Sequence, residues 1–103
     1  MRMLVRVTLP VEPFNTYVRD GSASAKMGRI LGDLKPEAAY FTEFDGQRTA
    51  LLVIHMDDCS QIPVIAEPWF LTFNAECHFK PVMVADDLAK ADLPAPATRV
   101  SPF

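Results

Sequence analysis

The sequence predicts an α+β domain in which one antiparallel sheet carries helices on a single face. Three observations predict it. Asp45-Gly46 lies between two strand-like runs, the strongest short-range hairpin signal, because both central turn residues must adopt positive φ. Residues Arg2 to Leu9 alternate, with Met3, Val5, Val7 and Leu9 on one side and Arg2, Leu4, Arg6 and Thr8 on the other. Apolar residues recur at helical spacing from Phe14 to Leu34 and again from Ile62 to Phe73.

The first strand is Arg2 to Leu9. Pro10 and Pro13 bracket a short loop, and Pro13 suits the opening turn of a helix, where a missing amide proton costs nothing. Phe14, Tyr17, Val18, Met27, Ile30, Leu31 and Leu34 predict a helix from Pro13 to about Asp33. It should be loosened near Gly21, since a helical glycine costs up to about 1 kcal/mol. Lys35-Pro36 ends it.

The stretch from Glu37 to Met56 forms the hairpin. Its two-residue loop sets Phe44 opposite Gln47, Thr42 opposite Thr49 and Tyr40 opposite Leu51 on one face, with Glu43 and Arg48 an expected ion pair on the reverse. Leu51 and Val53 point one way while Leu52 and Ile54 point the other, so this strand needs cover on both sides.

Asp57-Asp58-Cys59-Ser60 supplies capping oxygens and negative charge for the next helix. Ile62, Ile65, Ala66, Trp69, Phe70 and Phe73 carry its period. Pro68 should kink or split it, and Asn74 should stop it. Ala75 to Val84 alternates as the last strand, with Pro81 placing part of it at an edge. A short helix is expected from about Ala85 to Ala91, and the segment 94–103, holding Pro94, Pro96 and Pro102, reads as an extended tail after a single domain at 1–93.

Composition narrows the function classes. Half of the 103 residues are hydrophobic and 22% are charged, a globular balance that excludes intrinsic disorder. A net charge of −3 with scattered Lys and Arg argues against nucleic-acid binding. The N-terminal apolar run is broken by Arg6 and closed by Pro10, too short for a signal-peptide core, and no stretch approaches the roughly 20 apolar residues of a membrane span. A cytoplasmic protein with no membrane partner is the expectation. Cys59 and Cys77 are too far apart for a metal or dithiol motif and read as reduced residues. No cofactor is called for.

The order strand, helix, strand, strand, helix, strand is the split βαβ arrangement of ferredoxin-like domains. In the segments Ala66-Glu67-Pro68-Trp69-Phe70-Leu71, Asn74-Ala75-Glu76 and Pro81-Val82-Met83 the chain resembles the dimeric α/β-barrel superfamily. The resemblance implies a homodimer in which two ferredoxin-like protomers pack their open sheet faces together. Relatives in that superfamily include cofactor-independent monooxygenases, muconolactone-isomerase-like enzymes, stress-responsive barrel proteins and haem-degrading branches. The likeness is architectural and transfers no catalytic residue.

The open sheet face supplies the candidate chemistry. Tyr40, Thr42, Thr49, Leu51, Val53 and His55 share it by register, and Arg6 and His78 join them if the outer pairings keep the same parity. A guanidinium, imidazoles and a phenol among apolar walls suit a small aromatic or acidic metabolite. Arg6 is expected to orient a carboxylate or enolate and His55 or His78 to move a proton, with Tyr40, Thr42, Thr49, Leu51 and Trp69 as lining. The structural alternatives are an Arg6–Glu76 ion pair and a core position for Trp69. With two histidines in the chain and no ligand spacing, no metal site is expected. The predicted function is therefore binding of a small organic molecule, possible chemistry being cofactor-free oxygenation or isomerisation. The alternative is a non-catalytic interaction module.

Overall fold

β1 (Arg2–Leu9) runs through the middle of the sheet in the computed structural model, which describes residues 1–94 and Arg99. It pairs antiparallel with β3 (Gln47–His55) on one side and β4 (Glu76–Pro81) on the other. β2 (Ala38–Phe44) pairs antiparallel with the far side of β3, giving the four-stranded order β2-β3-β1-β4. Helices α1 (Val11–Asp20) and α2 (Ala23–Leu34) link β1 to β2, α3 (Ile62–Phe73) links β3 to β4, and α4 (Ala85–Ala89) follows. This α+β arrangement is compatible with a ferredoxin-like fold.

The hairpin turn has Asp45 at φ 52° and Gly46 at φ 76°, the conformation that matches the right-handed twist of the flanking strands. Phe44 faces Gln47, Thr42 faces Thr49 and Tyr40 faces Leu51, as a two-residue loop requires. Glu43 and Arg48 are also cross-strand partners, but the expected ion pair between them does not form. The Glu43 carboxylate instead accepts a 2.9 Å hydrogen bond from the Gly46 amide, a donor fixed by the turn. Arg48 lies on the helix side of the sheet, its guanidinium carbon 4.5 Å from the centre of the Phe14 ring.

Where one helix was expected from Pro13 to Asp33, the chain makes two. Glu12 is still extended (φ −113°, ψ 141°), so the helical turns begin at Pro13, and the Glu12 carboxylate accepts from the amide and hydroxyl of Thr16. Those bonds, the side-chain one first, hold the Glu12 carboxyl below its usual range. At Gly21 φ reaches 82°, and the amides of Gly21 and Ser22 turn back to the carbonyls of Val18 and Tyr17. That left-handed residue ends α1 and redirects the chain into α2.

The acidic run caps a single 3-10 turn, Cys59–Gln61, which leads directly into α3. Asp58 Oδ1 accepts from the Ser60 amide at 2.7 Å, while Gln61 Oε1 accepts from the Asp57 amide at 2.7 Å, a reciprocal cap. Pro68 does not split this helix, which continues to Phe73. Proline deprives the carbonyl four residues earlier of its partner, and that residue, Val64, is on the exposed side, where water can replace the lost bond. Asn74, at φ 54°, closes the helix through its amide to the Phe70 carbonyl. β4 stops at Pro81 instead of running to Val84, and α4 stops at Ala89.

All three longer helices cover the same face of the sheet. Met3, Val5, Val7, Leu9, Ala50, Leu52 and Ile54 point into that side and meet Ile30 from α2 and Ile65, Trp69 and Phe73 from α3. Phe14 stacks on Phe73 with ring centres 5.4 Å apart, and the Tyr17 hydroxyl donates to the Thr72 carbonyl. Among the described residues no helix is long and apolar enough to cross a membrane. The extended tail expected at 94–103 lies outside the described residues apart from Pro94 and Arg99.

Trp69 is wholly buried, whereas Leu71 two residues on is 81% exposed. Trp69→Ala is therefore expected to cost about 3–5 kcal/mol in urea unfolding, and Leu71→Ala to stay within about 0.5 kcal/mol of the wild type. Equal effects of the two would contradict this core assignment.

Candidate functional site

The open face of the sheet is ordered in rows that cross the strands. One row runs Tyr40, Leu51, Arg6, His78; the next toward the hairpin turn runs Thr42, Thr49, Thr8, Glu76; the next in the other direction runs Ala38, Val53, Leu4, Lys80. Directly opposed side chains in such a sheet have Cβ atoms about 5 Å apart. Arg6 and His78 are therefore immediate neighbours, with Leu51 on the other flank of Arg6.

A cleft of about 410 Å³ opens on this face, lined by Leu4, Arg6, Leu51, His78, Phe79 and Lys80. Its walls are apolar and its polar groups are basic. The Arg6 guanidinium carbon lies 4.1 Å from the centre of the Phe44 ring, so one face of the guanidinium rests on an aromatic surface. His78 Nε2 is 3.7 Å from Glu76 Oε2. The expected Arg6–Glu76 pair is absent: among the described residues, no carboxylate lies within salt-bridge distance of Arg6.

Arg2 makes the contrast. It sits on the same strand and the same face, yet its Nε is 3.0 Å from Glu37 Oε1 and its Nη1 is 3.6 Å from Asp87 Oδ2. One arginine of β1 is neutralised twice; the other is left with an aromatic ring.

The remaining residues named from the sequence divide. Tyr40 belongs to the Arg6 row but lies beyond Leu51 on the edge strand, 63% exposed. Thr49 is buried and its hydroxyl donates to the Gln47 carbonyl, and the Thr42 hydroxyl reaches the Glu43 carbonyl at 3.4 Å, so both are engaged by their own strands. His55 shares the face but not the cleft. It pairs in register with Arg2, four residues along β1 from Arg6, a distance of about 13 Å at strand spacing. There its Nε2 is 3.3 Å from the Met1 amino nitrogen and 3.6 Å from Asp57 Oδ1, in a separate hollow with Met83 and Asp87. Trp69 lies in the core on the opposite side of the sheet, because the helical face that carries Ile65, Trp69 and Phe73 packs onto Val5 and Leu52.

Phe44 and Lys80 belong to the site and were not named from the sequence. Each has the parity of a residue that was: Phe44 follows Tyr40 and Thr42, and Lys80 follows His78 by two positions. The register already put Phe44 on the face of Tyr40, and strand alternation put Lys80 beside His78; neither was assigned to the site.

Cys77 turns to the helix side, and burial pushes its thiol up to about 11. Cys59 is exposed. Among the described residues, no three His, Cys, Asp or Glu side chains gather as metal ligands would. A scan against protein-family models gives no match, and a search of curated proteins gives none.

Thiolate is the form that alkylates. Iodoacetamide at pH 8 is expected to label Cys59 and to leave Cys77 largely free, with Cys77 labelling rising only as the pH approaches about 11. Peptide mass spectrometry checks this, and equal labelling of both thiols at pH 8 would overturn it.

Proposed function

We propose that this chain is a cytoplasmic homodimer of the dimeric α/β-barrel type that binds a small organic acid in the cleft centred on Arg6. The observation that carries the reading is the half-buried Arg6, which among the described residues has no carboxylate partner while Arg2, on the same strand face, has two. A guanidinium kept partly dry without an anion is a costly arrangement unless an anion arrives from outside. Its planar fork matches a carboxylate, and Leu4 and Leu51 beside it suit an apolar body.

The second copy is supported by the same face. Helices cover one side of the sheet; on the other, Leu4, Leu51 and Val53 remain half-exposed, with Tyr40 and Phe44 more exposed still. A partner sheet laid there would remove this apolar surface from water and would close the cleft.

Should the bound acid be enolisable, Arg6 would hold the enolate oxygen and His78, its cross-strand neighbour, would take the proton. Returning that proton to another carbon is an isomerisation, and the same enolate is the starting point of cofactor-independent oxygenation. His55 is too distant to be the base for a ligand held on Arg6. The competing reading, a non-catalytic interaction module, has in its favour the exposed Tyr40, Phe41 and Phe44 on the edge strand β2.

Isothermal titration is expected to detect aromatic and aliphatic carboxylates binding to the wild type, with affinity reduced at least about tenfold in Arg6→Ala. Identical binding by both proteins would put the site elsewhere. In light scattering the protein is expected at twice the 11.5 kDa chain mass at micromolar concentration, and Val53→Asp at the mass of one chain. A wild type that runs as a single chain would remove the barrel.

A further inference from the structure

Resting on that anion-binding reading, we infer that the ligand carries two acidic groups joined by a short apolar spacer, one held by Arg6 and the other by Lys80. The two cations are diagonal neighbours. Arg6 pairs with His78 and Lys80 pairs with Leu4, two residues away along each strand and on the same face. Diagonal positions of this kind place Cβ atoms about 7 Å apart. Both side chains line the one cleft.

Neither cation is neutralised. Among the described residues, no carboxylate lies within salt-bridge distance of Arg6 or Lys80, and the nearest acid of the β4 face, Glu76, is engaged with His78. A monoacid on Arg6 would leave Lys80 as an excess positive charge at the cleft wall, in a chain whose net charge is −3. A diacid balances both.

The two ends differ in what they ask of the ligand. Phe44 covers a face of the Arg6 guanidinium and leaves its edge, where the N–H donors lie, to make a bidentate pair with a carboxylate. Lys80 is exposed, and its ammonium is a point charge on a flexible stem, so it accepts a second acid over a range of distances. Leu4, two residues from Arg6 on β1 and directly opposite Lys80 on β4, lies along the path between them. A spacer of a few methylene groups fits a cleft of about 410 Å³; a larger polyanion would need more donors than one fork and one ammonium supply.

Titration of the full chain with glutarate, butyrate and inorganic phosphate tests the assignment. Glutarate is expected to bind at least about tenfold more tightly than butyrate. Lys80→Met should weaken glutarate to about the butyrate level, a larger loss than it causes for butyrate, while Arg6→Lys should weaken both. If glutarate and butyrate bind equally and both depend on Arg6, the two-acid assignment falls and the anion-binding reading stands. Phosphate binding as well as glutarate, or glutarate binding that survives Lys80→Met, also overturns the assignment. If no carboxylate binds at all, both fall.

Discussion

The two-residue turn at Asp45-Gly46 is the constraint on which the remaining architecture depends. With both residues in the left-handed region, the loop admits one pairing of β2 with β3, and side-chain parity then propagates across the sheet. A slip of one residue would carry Leu52 and Ile54 out of the core and put Leu51 and Val53 in their place. The core would still be apolar. The rows on the far face would not survive, because Arg6 sits opposite Leu51, and through Arg6 the His78 row continues, only in this register.

Features written in short-range sequence were legible from it. The hairpin, the helix stop at Asn74 and the Asp58 cap each depend on residues within a few positions of one another, and each appears where the local chemistry put it. The α1–α2 boundary was visible as a weakness rather than a break, because a glycine tells that a helix is softened and not how the next one is aimed. Of the kink or split expected at Pro68, the split does not occur. The proline's steric penalty is local, but whether a helix survives depends on what replaces the lost bond, which is a matter of solvent exposure in the folded state.

The site was legible in its parity and obscure in its partners. The hairpin register put Tyr40, Leu51 and His55 on one face, with Arg6 and His78 joining them if the outer pairings kept the same parity, and the sheet brings all five to that face. Distance along the strands separates His55 from the others, and that follows only from the pairing of β1 with β3. Nothing in the sequence distinguishes Arg2 from Arg6, since the acids that neutralise Arg2 come from Glu37 and Asp87, remote in the chain. Arg48 shows the same limit: an opposing glutamate was the obvious partner, and an aromatic ring delivered by α1 took its place.

The edge position of β2 carries a cost for handling the protein. Ala-Ala-Tyr-Phe-Thr-Glu-Phe is a seven-residue strand of high β-propensity; no described strand pairs with its outer side, and Phe41 is more than half exposed. Such a segment is a template for intermolecular cross-β stacking. Glu43 is the sole charged residue within it and acts as its gatekeeper, repelling a copy of itself laid in parallel register. The isoelectric point of about 5.2 removes the net charge that keeps copies apart in mildly acidic solution. Mildly acidic buffers are thus where this chain is most prone to fibril growth and precipitation.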